Sequence, residues 1–291
     1  MNDVWLIKTN SSGIEEWNKT FGVSTGEIAY SVKQTSDGGY IIAGEFFVSV
    51  GNTSFWLIKT SSTGVHEWNK TFFGPYIDVA YSVNQTSDGG YILVGSAYNL
   101  TGATLDDVWL IKTSSTGVHE WNKTFGGINS DFGYSVQQTS DGGYMIVGST
   151  DSFGIITNIW MIKTSSLGIE EWNKTFGGSS LYSAHSVEQT SDGGYIITGG
   201  GNADGNSNDL FLIKTDPNGN PIPEGIDYSQ WYYEGASVPS SPSVIESSGA
   251  KFDNNSYNLV FASDNYRSTF STSTGSFYEV VAYKISNKST P

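Results

Sequence analysis

One seven-residue phrase, Gln-Thr-Ser-Asp-Gly-Gly-Tyr, occurs four times, beginning at Gln34, Gln85, Gln138 and Gln189. An aromatic column runs with it through Trp5, Trp56, Trp109, Trp160 and Phe211, in steps of 51, 53, 51 and 51 residues. A second column holds Trp17, Trp68, Trp121 and Trp172. A chain built this way folds as an array of like units, each too small to bury its apolar faces alone. What one period contains therefore decides the architecture.

Each period reads as four strands, typified by YSVQQT, GYMIVG, DVWLIKT and HEWNKTF. All are rich in β-branched and aromatic residues and are bounded by Gly, Ser, Asp or Asn. Ser-Asp-Gly-Gly joins the first strand to the second, and Asp and Gly supply the positive φ angles that a tight hairpin needs. A Ser-Ser-Thr-Gly or Asn-Ser-Ser-Gly turn joins the third to the fourth. The third strand is apolar on both faces, as expected of a sheet covered on both sides. A four-stranded meander per 50 or so residues is the content of a propeller blade. The expected fold is all-β, a propeller of about five four-stranded blades.

Residues 1–220 form the regular part. Residues 221–285 depart from it, yet QWYYEG echoes the fourth strand, SVIESSGAKF and YNLVFAS the first two, and YEVVAYKI the third. They are expected to form a diverged final blade that closes the ring with the N-terminal strands, a small separate β domain being the alternative. Residues 286–291, SNKSTP, read as the start of a linker.

The segment VWLIKTSSTGVHEWNKTFGG resembles the strand-turn-strand signature of quinoprotein-type (PQQ-like) propeller repeats, in which a Thr-Gly turn precedes a Trp that docks between blades. The whole unit is similar to repeat propellers of archaeal and bacterial surface and secreted proteins, and the match spans residues 3–215. The resemblance implies a blade scaffold. It does not extend to quinoprotein dehydrogenase activity, because the blades are too few and the vicinal cysteines that such enzymes often carry are missing.

The chain has 29 acidic residues against 14 basic ones, a formal charge of −15. That balance repels nucleic acid and anionic lipid, so neither is an expected partner. No run reaches the ~18 apolar residues of a membrane helix, and no membrane insertion is expected. Cysteine is absent, which excludes disulfides and thiolate metal sites. Met1 leads straight into a repeat strand with no basic, apolar leader, so the chain is expected to be part of a longer polypeptide. The acidic charge, the Ser/Thr/Pro tail and Asn-X-Ser/Thr sequons, among them Asn18, Asn69, Asn122 and Asn173, point to an extracellular or cell-surface glycoprotein.

The repeat separates constant from variable positions. Both short turns barely change, whereas the connections on the opposite face vary freely, and function in repeat folds concentrates on such loops. Candidate ligand-binding aromatics there are Phe46, Phe47, Tyr76, Tyr98, Phe153 and Tyr182, suited to stacking on sugars or anchoring a protein. Acids stand where the first strand begins, at Glu27, Asp78 and Asp131. They are candidates for a ligand or Ca²⁺ site at a channel mouth, or else they cap backbone amides or pair with the recurring Lys8, Lys59, Lys112, Lys163 and Lys214.

Two Asx-rich loops offer oxygen ligands for Ca²⁺: Asp204, Asn206, Asn208 and Asp209, and then Asp216, Asn218, Asn220 and Glu224. Neither completes an EF-hand pattern. No other cofactor is expected. His66 and His119 replace Glu15 and Glu170 in the fourth strand, and His185 stands where other repeats have Tyr, so no nucleophile, base and acid constellation emerges. The expected function is a non-catalytic binding or scaffold module taking a carbohydrate or protein ligand. A carbohydrate-active enzyme with acids at the channel mouth and a purely structural spacer are the alternatives.

Overall fold

The computed structural model describes residues 3–22, 26–74, 76–98, 105–154, 156–177, 181–201, 209–222, 231–233, 266–271 and 277–284. Among the described residues every regular element is a strand. Contacts divide the chain into two units, Met1–Gln189 with Tyr195–Ile213, and Thr190–Gly194 with Lys214–Pro291.

The first unit opens with the hairpin β1 (Val4–Thr9) and β2 (Glu15–Phe21). Three antiparallel four-stranded sheets follow, each in chain order. The first holds β3 (Glu27–Gln34), β4 (Tyr40–Ser49), β5 (Asn52–Thr60) and β6 (His66–Phe72). The second holds β7 (Asp78–Gln85), β8 (Tyr91–Tyr98), β9 (Asp106–Thr113) and β10 (His119–Phe125). The third holds β11 (Asp131–Gln138), β12 (Tyr144–Thr150), β13 (Asn158–Thr164) and β14 (Glu170–Phe176). A sheet of β15 (Tyr182–Gln189), β16 (Tyr195–Gly201) and β17 (Asp209–Thr215) comes next.

The turns behave as their composition dictates. In each Ser-Asp-Gly-Gly turn the first glycine has positive φ, from 81° to 84° at Gly38, Gly89, Gly142 and Gly193. The Asp carboxylate accepts the amide of the second glycine, at 2.9 Å from Gly39 to Asp37 and likewise in the other copies.

Because side chains alternate along a strand, each sheet buries two apolar faces against two neighbours. Ile42, Trp56 and Ile58 turn towards Val4 and Leu6 of β1, while Ile41, Phe55 and Leu57 turn towards Val83, Tyr91, Leu93 and Trp109 of the next sheet. The pattern repeats twice more along the chain. The second Trp column wedges between sheets: Trp17 meets Tyr40 at 5.7 Å, Trp68 meets Tyr91 at 5.8 Å and Trp121 meets Tyr144 at 5.8 Å. First strands of successive sheets lie side by side, β3 by β7, β7 by β11 and β11 by β15. They are tied by the Gln of the repeated phrase, whose Oε1 accepts the Ser amide of the preceding copy at 2.7 to 2.8 Å.

The N-terminal hairpin matches the last two strands of a sheet. Trp5 is consequently 63% exposed where Trp56 is 6% exposed. Ile28 and Val32 of β3 are also exposed, although Val79 and Val83 at the same positions of β7 are buried. In the second unit, β20 (Phe277–Lys284) is flanked by β18 (Trp231–Tyr233) and β19 (Tyr266–Ser271). The Trp231–Tyr233 segment, expected as a fourth strand, pairs with β20 instead of β17, Trp231 lying opposite Lys284. The segments SVIESSGAKF and YNLVFAS and the linker residues 286–291 lie outside the described residues.

Candidate functional site

All four first strands carry a bulge at the same place, and a second recurrent bulge lies where each fourth strand pairs with the third. Pairing skips one residue between Ala29 and Ser31, Ala80 and Ser82, Gly133 and Ser135, and Ala184 and Ser186. The extra residues are Tyr30, Tyr81, Tyr134 and His185. A bulge re-aims the side chain it inserts. It also explains the glycine that ends IIAG, ILVG, MIVG and IITG. A Cβ at Gly44, Gly95, Gly148 or Gly199 would run into the carbonyl oxygen of Ile28, Val79, Phe132 or Ser183 respectively.

The four re-aimed rings form a ladder across the neighbouring first strands. Tyr30 and Tyr81 are 5.3 Å apart between centroids, Tyr81 and Tyr134 5.1 Å, and Tyr134 and His185 5.2 Å, all tilted or edge-on. These are favourable aromatic contact geometries. Acids flank the ladder. Tyr30 donates its hydroxyl to Glu45 Oε1 at 3.3 Å, and its phenol is pushed up to about 12 by burial and by the Glu45 charge. Burial also raises Tyr81 and Tyr134, and Asp106 acts on both in the same direction. Glu45 and Asp106 are themselves raised, chiefly by burial, and Asp107 adds to the effect on Asp106. Burial lowers His185. The ladder therefore offers neutral rings and hydroxyls beside carboxylate acceptors. Sequence reasoning passed over it, although the column of three Tyr and one His was its visible signal.

Three of the six aromatics expected on the variable connections cover the first aromatic column. Phe46 lies 5.6 Å from Trp56, Phe153 5.2 Å from Trp160 and Tyr182 6.5 Å from Phe211. Tyr76 and Tyr98 meet edge-to-face at 5.8 Å, and Tyr76 and Phe153 remain exposed. Phe47 is half-buried in β4.

The acids that begin the first strands are all buried. Asp78 Oδ2 accepts the Gly74 amide at 2.6 Å, and Asp131 Oδ2 accepts the Gly127 amide at 2.8 Å. This is amide capping at a corner. Burial pushes Asp78 up to about 6 against the pull of the Gly74 amide, with Asp106 adding to the rise. The recurring lysines serve other acids: buried Lys112 Nζ lies 2.8 Å from Asp88 and 3.0 Å from Glu120, and Lys59 and Lys163 repeat the arrangement.

Of the two Asx-rich loops, Asp204, Asn206, Asn208 and Glu224 lie outside the described residues, and so does the side chain of Asp209, which begins β17. Asp216 Oδ1 accepts the amides of Asn218 and Asn220 at 2.9 and 2.8 Å, and Oδ2 accepts Asn220 Nδ2 at 3.0 Å, an Asx-stabilised turn. Among the described residues, no three His, Cys, Asp or Glu side chains gather as a metal site. No protein-family model matches the chain, and comparison with curated proteins gives no match.

Proposed function

We propose that the stacked sheets are blades of a β-propeller, and that the chain is a non-catalytic binding module of a cell-surface or secreted protein. Its ligand is a carbohydrate held against the aromatic ladder and the variable connections beside it. The observation that carries this reading is the ladder itself: four successive bulges place Tyr30, Tyr81, Tyr134 and His185 side by side. A bulge disrupts pairing, so its repetition in every first strand marks a position where side-chain direction matters more than ladder hydrogen bonds. Rings suit the apolar faces of sugars, and the Glu45 and Asp106 carboxylates suit their hydroxyls.

A glycan array tests the proposal, followed by titration of the best glycan against Tyr30→Ala and Val118→Ser. Tyr30 is 46% exposed, so its truncation leaves the core intact. Tyr30→Ala is expected to weaken binding about tenfold, equivalent to ~1.4 kcal/mol, while Val118→Ser at a third-to-fourth-strand turn leaves it unchanged. Absence of glycan binding, or equal affinity in Tyr30→Ala, would overturn the carbohydrate reading in favour of a protein ligand or a spacer.

A further inference from the structure

We propose that Asp107 and Asp131 together hold a divalent cation of the calcium class at the corner between the sheet β7–β10 and the sheet β11–β14. The two residues come from different repeats. Asp107 is the second residue of β9, and Asp131 is the first residue of β11. Gly126, just after β10, brings them together: a Cβ there would collide with Asp107 Oδ1 and lie 3.1 Å from Asp131 Oδ2. Both carboxylates therefore meet in the small volume beside Gly126 that a side chain would occupy, with Asp107 Oδ1 within it and Asp131 Oδ2 at its edge.

That volume is shielded from solvent, with Asp107 1% and Asp131 0% exposed. Asp131 Oδ2 is satisfied by the Gly127 amide at 2.8 Å and the Ser152 hydroxyl at 2.7 Å. Asp131 Oδ1 is buried with no hydrogen-bond partner. A buried carboxylate oxygen left unmatched is costly, and a second carboxylate beside it adds like-charge repulsion. A hard cation removes both penalties. Calcium accepts oxygen ligands from two carboxylates and completes its shell with hydroxyl, carbonyl or water oxygens, and Ser152 Oγ stands next to the pair.

The other corners give the comparison. At Gly22 a Cβ would lie 2.5 Å from Asp3 Oδ1 and 2.7 Å from Glu27 Oε2, a second acid pair at the matching place. At Gly74 the three nearest atoms belong to Asp78, and at Gly177 they belong to Asn158. At the Gly74 corner burial, with the Asp106 charge adding to it, pushes Asp78 up to about 6. Two carboxylates meeting at one glycine add like-charge repulsion to the cost of burial. The inference is independent of the carbohydrate reading and of the Asx-rich loops.

The test uses the full chain after exhaustive chelation. Thermal unfolding is followed in EDTA and in millimolar Ca²⁺ for the unaltered protein and for Asp107→Asn, with Tb³⁺ luminescence and its displacement by Ca²⁺ as a direct measure of occupancy. Ca²⁺ is expected to raise the midpoint of the unaltered protein by about 5 °C or more. Asp107→Asn relieves repulsion but loses a ligand, so it is expected to unfold later than the unaltered protein in EDTA and earlier in Ca²⁺. An unchanged midpoint in Ca²⁺ for the unaltered protein would overturn the proposal without recourse to any variant. So would an Asp107→Asn protein that is the more stable in both buffers, because that result assigns the pair a shared proton. Calcium stabilisation retained in full by Asp107→Asn would likewise refute this corner.

Discussion

Replacing Asp78 by Asn isolates one buried carboxylate whose cost to the fold depends on pH. Asp78 has no exposed surface, and burial raises it from 3.8 to about 6. A folded-state pKa above the unfolded one means that the native protein binds the proton more tightly. The contribution is therefore most favourable below pH ~4 and is lost as pH rises through about 6. A rise of roughly two pH units corresponds to about 3 kcal/mol between those limits, at ~1.36 kcal/mol per unit. Asn keeps an oxygen for the Gly74 amide but cannot ionise. Urea unfolding of both proteins at pH 4, 5, 6, 7 and 8 measures the difference. Any constant cost of placing an amide at this position cancels when the gap at pH 4 is compared with that at pH 8. The unaltered protein is expected to lose about 2.4 kcal/mol of that relative to Asp78→Asn between pH 4 and pH 8, the rest lying below pH 4. A gap that stays constant within ~0.5 kcal/mol would refute the claim that Asp78 is desolvated in the native fold.

The acid side of the profile is expected to run the other way. Asp88, Asp141 and Asp192 are held at about 2 because Lys112, Lys163 and Lys214 with the neighbouring Thr hydroxyls outweigh their partial burial. Their stabilisation is present above pH ~4 and fades as pH falls towards 2, and Asp88→Asn should flatten that limb by less than ~1 kcal/mol, since the carboxylate is largely exposed. Gly148→Ala should destabilise by about 2–3 kcal/mol in urea unfolding, because the new methyl meets the Phe132 carbonyl across the bulge. Gly142→Ala, at φ 84° with open space around it, should cost only ~1 kcal/mol. Equal costs at the two positions would contradict the close approach at the bulge.

The repeat unit was legible because its signals are local. Alternating and doubly apolar runs specify strands, Ser-Asp-Gly-Gly specifies a hairpin, and a period of about 50 residues specifies units that must bury their faces on each other. The recurring Trp columns announced a core, and Trp56, Trp109 and Trp160 are buried accordingly. Sequence also limited chemistry: without cysteine there is no thiolate site, and the acidic balance disfavours polyanionic partners.

Tertiary structure decided what each constant residue is for. The recurring glycine within each second strand faces a bulge on the partner strand, and a bulge is defined by pairing between strands rather than by either strand alone. Tyr30 and Tyr81 are 51 residues apart in the chain and 5.3 Å apart between ring centroids, a proximity set by stacking of whole sheets. Asp131 became a buried acid beside Asp107 for the same reason, since only the docking of one repeat on the next brings the two carboxylates to a single glycine. Local propensity is written within a few residues of chain, whereas burial, charge proximity and side-chain direction arise where units meet.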